Sequence, residues 1–163
     1  MNAKNPYAPP EAAVADVVGR EPSPQLWNPN AAASWSLLFS PIFGSILHMK
    51  NWQAIGDAQK AATSKNWAIG SAAFFVLLIV LSVVVPESKG LDALSRGSGI
   101  GLLVAWYYAI GKSQQSLVLA RYGKDYPRKG WAKPIGIAIL GCIAFIVVAG
   151  LLGLLIGMVA GTA

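Results

Sequence analysis

The side chains most able to do chemistry are sparse in this 163-residue chain, which has one histidine, His48, one cysteine, Cys142, and seven carboxylates. A lone histidine cannot build a His-rich metal centre, and no Asp or Glu stands beside His48 in sequence to orient its ring for acid–base work. His48 therefore reads as a filler at the membrane interface. Cys142 sits inside a long apolar run, so no internal disulfide and no Cys-based metal site is available to it. All the carboxylates fall in the N-terminal tail or in charged loops, whereas proton- and ion-coupled transport needs ionisable groups at membrane depth. Paired carboxylates, a Ser/His constellation and a metal triad are the usual equipment of a membrane-embedded hydrolase, and none is visible here. No catalytic, metal-ligating or cofactor-binding residue is assigned, and the expectation is a protein that is not an enzyme.

The chemistry that remains is electrostatic and steric. Lys and Arg total 13 against seven acids, a net +6. The densest basic segment holds Arg121, Lys124, Arg128, Lys129 and Lys133, interleaved with Tyr122, Tyr126 and Trp131. Near an anionic leaflet each such cation contributes about 1 kcal/mol. Interleaved aromatics also suit base stacking. The segment stands directly before an apolar run, however, where a cytoplasmic loop is expected to be basic, so lipid and not nucleic acid is the expected partner. Lys50 and Lys65 complete the candidate contacts to anionic headgroups or a partner. Lys50-Asn51-Trp52 recurs as Lys65-Asn66-Trp67, an offset of 15 residues, so on one continuous helix both copies share a face. A plain connector, an interfacial helix and a partner-binding helix all fit that pattern.

Small residues supply the steric signal. Ala149, Gly153, Gly157 and Gly161 recur at a spacing of four near the C-terminus, and Gly97 and Gly101 repeat it upstream. Such faces let helices approach closely, within the chain, in a homo-oligomer or against another membrane protein.

Helices in lipid must position these residues. The chain is 55% hydrophobic and 12% charged with mean hydropathy +0.51, about half the ~25% charge of a soluble domain. The expected fold is all-α, a polytopic transmembrane helical bundle with helices at about 31–49, 67–86, 99–122 and 134–161. Trp67 to Pro86 carries no charge, and about 20 residues cross a hydrocarbon core of about 30 Å. Ile135 to Ala163 is equally uncharged, with Pro134 suited to a first turn. Ile100 to Gly111 reaches spanning length by recruiting either the Leu91 to Gly99 side or the Lys112 to Tyr122 side, the latter being placed ahead, with Gly123 as a C-cap. The first stretch, Ala31 to Met49, contains Ser34, Ser36, Ser40, Ser45, Pro41 and Gly44. A kinked span and a re-entrant hairpin both fit it, the span being placed ahead. The expectation is thus three spans plus one N-terminal span or hairpin. Residues 1–30 form a Pro/Ala-rich tail too poor in apolar surface to fold or to act as a signal peptide, and residues 31–163 form the membrane domain.

Basic residues cluster in Lys50–Asn66 and Lys112–Lys133, which places both loops in the cytoplasm and the C-terminus outside. Trp27, Trp52, Trp67 and Trp131 mark the predicted edges as interface anchors. The tail itself, Asn5-Pro6-Tyr7-Ala8-Pro9-Pro10 followed by Ala13-Val14-Ala15-Asp16-Val17, resembles the start of uncharacterised small inner-membrane proteins of proteobacteria. The stretches Trp35–Phe39 and Lys50–Trp52 extend the likeness. The resemblance implies a multi-pass protein of the bacterial inner (cytoplasmic) membrane and brings no activity with it. The expected role is a non-enzymatic scaffold, accessory subunit or immunity-like protein that packs through glycine-rich faces. The alternatives are a small oligomeric channel or transporter and a lipid-headgroup-modifying enzyme.

Overall fold

The computed structural model describes residues 23–84 and 89–161. Residues 1–22 of the expected tail lie outside the described residues. Five α-helices make up the fold: α1 (Pro29–Ile55), α2 (Ala58–Val84), α3 (Lys89–Trp106), α4 (Lys112–Tyr122) and α5 (Ala132–Gly161), with a π-helical turn, Tyr107–Gly111, joining α3 to α4. The described residues contain no strand, only one isolated bridge between Leu26 and Arg128.

The first apolar stretch is a hairpin and not a kinked span. Pro41 removes a backbone donor and disfavours helical geometry in the residue before it. Ser40 accordingly takes φ 77°, ψ 164° and is the one described non-glycine residue with positive φ. That region of backbone space is nearly exclusive to glycine and costs about 1–3 kcal/mol. The chain reverses there. His48 Nε2 lies 3.3 Å from the Pro29 carbonyl, whereas 19 residues of straight helix would separate them by about 28 Å. Ala32 packs on Phe43 and Leu47 across the fold-back. Gly44 permits the approach, because a Cβ there would collide with Ser36 Oγ and the Trp106 indole.

Local chemistry fixes both ends of α1. The Asn28 side chain accepts from the amides of Asn30 and Ala31 at 3.0 and 3.3 Å, with Pro29 in the first turn. Gly56, at φ 89°, ends the helix with bonds from Gly56 N to Gln53 O and from Asp57 N to Trp52 O. Asp57 then caps α2 by accepting from the Lys60 amide at 2.9 Å. This turn divides the two Lys-Asn-Trp copies between separate helices, which overturns the continuous-helix readings of residues 50–66, interfacial and partner-binding alike. Asn51 is buried while Asn66 is exposed, so the copies do not share an environment.

Helix α2 lies along the hairpin more extensively than any other pair of elements. Its buried Ala61, Ser64 and Ser71, spaced three and seven apart, form a small-residue face of the kind that permits close helix contact. From Lys89 to Tyr122 the chain is one helical run that begins ten residues before the expected start at 99. Trp106, Ile110, Gln114, Val118 and Tyr122 are buried at a strict spacing of four. On an ideal helix of 3.6 residues per turn such a stripe drifts around the axis. The π turn absorbs one extra residue and brings Trp106 and Gln114 back onto the same face.

Helix α5 packs against the hairpin at its foot, where Ala138 lies beside Phe43 and Leu47. Every residue from 141 to 150 is exposed, including Ile143, Phe145 and Ile146. Among the described residues, three helices are long and apolar enough to cross a membrane by length and composition, Pro29–Ile55, Ala58–Ser82 and Ala132–Leu155, although the reversal at Ser40 shortens the reach of the first. The run expected to span at 99–122 is not among them. Lys89, Asp92 and Arg96 charge the start of α3, the helix that supplies its first residues, and the π turn separates the apolar part of α3 from α4.

Replacing Gly44 with Leu should cost about 2–3 kcal/mol by overpacking the fold-back, read as a lower melting temperature of the helical signal in detergent. The Lys60 amide holds the Asp57 carboxyl below the usual carboxylate range, so its stabilising effect is present above that range and fades as pH falls through the lowered value. Asp57→Asn keeps a capping acceptor and should flatten the acid limb of the melting curve. Asp57→Ala should lower stability at neutral pH as well.

Candidate functional site

The hairpin ends, α4 and the loop before α5 meet at one end of the molecule around a buried carboxamide. Asn51 Oδ1 accepts from the Trp27 amide at 3.0 Å, and Asn51 Nδ2 donates to the Trp27 carbonyl at 2.8 Å and to Gln114 Oε1 at 3.1 Å. Gln114 Nε2 donates in turn to the His48 carbonyl at 2.9 Å. Asn51, Gln114 and His48 are all fully buried. Two side chains thereby satisfy backbone groups of both hairpin arms and tie them to the third helical run. An unpaired polar group in so apolar a setting would cost roughly 1–3 kcal/mol.

An extended pairing closes the same end. Leu26 N donates to Pro127 O at 3.0 Å and Lys129 N donates to Leu26 O at 2.8 Å. Trp27 Nε1 donates to Gly130 O at 3.0 Å, which fastens the indole to the loop that leads into α5. Leu26 itself is buried with Val118, Tyr122 and Tyr126.

His48, read from sequence as interfacial, is buried with its ring 5.3 Å from that of Trp106. With Nε2 protonated the ring donates to Pro29 O, leaving Nδ1 without a hydrogen-bond partner among the described residues. Ser45, Ser64 and Ser71 hydroxyls and the Trp106 indole N–H are likewise buried and unpartnered there. These atoms line the seam where the hairpin meets its neighbours. Among the described residues no three His, Cys, Asp or Glu side chains converge as a metal site.

The basic residues singled out from sequence gather at this end. Lys129 Nζ sits 4.4 Å over the Trp27 ring, Arg128 lies 5.5 Å from the Tyr126 ring and Arg121 5.5 Å from the Tyr122 ring. Lys50 and Lys133 are exposed and line one groove with Trp27. Lys65 and Lys124 are exposed on α2 and on the loop after α4. The four tryptophans divide. Trp52 is buried in the core with Lys60 over its ring at 4.7 Å, and Trp27, Trp67 and Trp131 are half-buried. Trp52 therefore packs inside the protein and does not face lipid.

The described glycines of the two small-residue faces have open space beside them. A Cβ built on Gly97, Gly101 or Gly153 meets no atom within 4 Å, and Ala149 is exposed. The surroundings of Gly157 and Gly161 lie outside the described residues. Sequence reasoning missed Asn51 and Gln114, which stand among polar neighbours, Lys50 and Gln53 for one and Lys112, Ser113, Gln115 and Ser116 for the other, and carry no local signal of burial.

Asn51→Ala should destabilise the protein by about 3 kcal/mol, since it strands the Trp27 backbone and the Gln114 side chain together. A double-mutant cycle with Gln114→Ala, read by thermal unfolding, should return a coupling of about 1 kcal/mol or more, whereas additive effects would show that the two amides act separately. No protein family, curated protein or solved structure matches the chain, so its own residues carry the functional argument.

Proposed function

We propose that the chain is a small integral membrane protein of non-enzymatic, accessory type that offers α5 to another membrane subunit. The observation that carries this reading is the isolation of α5. The helix is uncharged from Pro134 onward, and every residue from 141 to 150 is exposed. In water, an exposed apolar surface far beyond the few hundred Å² usual for a soluble monomer would drive aggregation. In a bilayer it is stable, and the open Gly153 face offers a neighbouring helix close van der Waals contact.

The orientation reading is a multi-pass protein of the bacterial inner membrane. The pairing of Leu26 with residues 127–129 and the Asn51–Gln114 bond bring both basic loops to one end, which the positive-inside preference assigns to the cytoplasm. A hairpin leaves the N-terminal tail on that side too. The α3–α4 run is less apolar than the three candidate spans, but a crossing by it between those of α2 and α5 returns both basic loops to one side and leaves the C-terminus outside.

Affinity purification in mild detergent with mass measurement of the intact complex tests the role. The expected result is a stoichiometric second membrane protein whose association is weakened by Gly153→Leu. A pure homo-oligomer that conducts ions in liposomes would contradict the accessory reading and favour a channel.

A further inference from the structure

Between the hairpin, α2 and α5 runs a groove of about 820 Å³, within the range of small-molecule sites, roughly 300–1,000 Å³. Its walls are apolar almost throughout, built from Phe39, Phe75, Phe145 and Ile146 among others. The two charged side chains lining it are Lys50 and Lys133, which lie on the flanks of the polar end, and Lys129 stands over Trp27 at the same mouth. No Asp or Glu lines the groove to neutralise them. Along α5, the 13 residues from Lys133 to Ile146 rise about 20 Å, comparable to one leaflet of a core about 30 Å thick. Cations at one end and a hydrocarbon surface of leaflet depth at the other complement an amphiphile with a negative head.

We propose that this groove binds one anionic phospholipid of the leaflet adjoining the basic loops, its phosphate between Lys50 and Lys133 and its acyl chains along the aromatic wall. The assignment rests on the membrane reading above, and it makes the lipid the element that joins α5 to the hairpin.

The test is native mass spectrometry of protein extracted in mild detergent from vesicles of equal phosphatidylglycerol and phosphatidylcholine. The wild type should retain one phosphatidylglycerol. Lys50→Gln with Lys133→Gln should lower the preference for phosphatidylglycerol about 30-fold, whereas Lys89→Gln with Lys112→Gln removes the same charge at exposed positions that neither line the groove nor belong to the candidate headgroup contacts, and should leave it. Gly141 also lines the groove, and a Cβ there meets nothing within 4 Å. Gly141→Trp should therefore fill the groove and reduce retention of either lipid without disturbing the fold. Cys142, exposed in the groove wall, should react with a maleimide more slowly in phosphatidylglycerol vesicles than in phosphatidylcholine vesicles. Equal retention of the two lipids by the wild type, an equal effect of the two lysine pairs, or unchanged retention by Gly141→Trp would each overturn the proposal. Partition of the wild type into the aqueous phase of a detergent phase separation would instead overturn the membrane reading itself.

Discussion

The Asn51 carboxamide closes the open end of the hairpin, where the His48 ring also reaches the Pro29 carbonyl. Backbone groups removed from water must be paired, and the residue that leads into α1 has its amide and carbonyl directed inward, where no helix ladder reaches them. Asn51 satisfies both while spending its remaining donor on Gln114. The pairing sets the register of one arm against the other. It also fixes the height at which the third helical run docks, because Gln114 reaches on to the His48 carbonyl. With these positions fixed, Gly44, Ser36 and Trp106 interlock a few turns further in, and the strain at Ser40 is held by contacts on both sides of the reversal.

The same junction organises the charge. The chain segment that Asn51 holds, residues 26 and 27, also pairs with residues 127 to 130. Basic residues far apart in sequence therefore meet at one end, around aromatic rings that shelter their stems. Helix α5 leaves this junction alone. The contrast between a hairpin packed within the chain and a terminal helix exposed from 141 to 150 underlies the accessory reading. The groove between them is where a lipid would substitute for direct helix packing.

The helical class and the apolar character of α2 and α5 were legible in the sequence, because uncharged runs of spanning length leave few alternatives. Gly123 as a stop after Tyr122 was legible too, and the structure gives it φ 74° with its amide bonded to Leu119 O. The hairpin was not. Pro41 and Gly44 announce a disruption between two helical arms but say nothing of its angle, which depends on partners 19 to 24 residues away. Asn51 reads as one member of a Lys-Asn-Trp repeat, and only the fold-back separates its buried role from that of Asn66. The start of the third run was misplaced because charged Lys89, Asp92 and Arg96 look like loop, although no proline interrupts them. The strict spacing of four from Trp106 to Tyr122 was visible, yet its meaning requires a π turn that propensity does not forecast.

Spin-label distance measurement between positions 30 and 50 in a Cys142→Ser background, with Asn30→Cys and Lys50→Cys, bears most directly on this architecture. The hairpin predicts helix axes at the packed spacing of about 10 Å, and hence a short label separation in both detergent and vesicles. A narrow distribution near 30 Å, the length of 20 residues of uninterrupted helix, would contradict it.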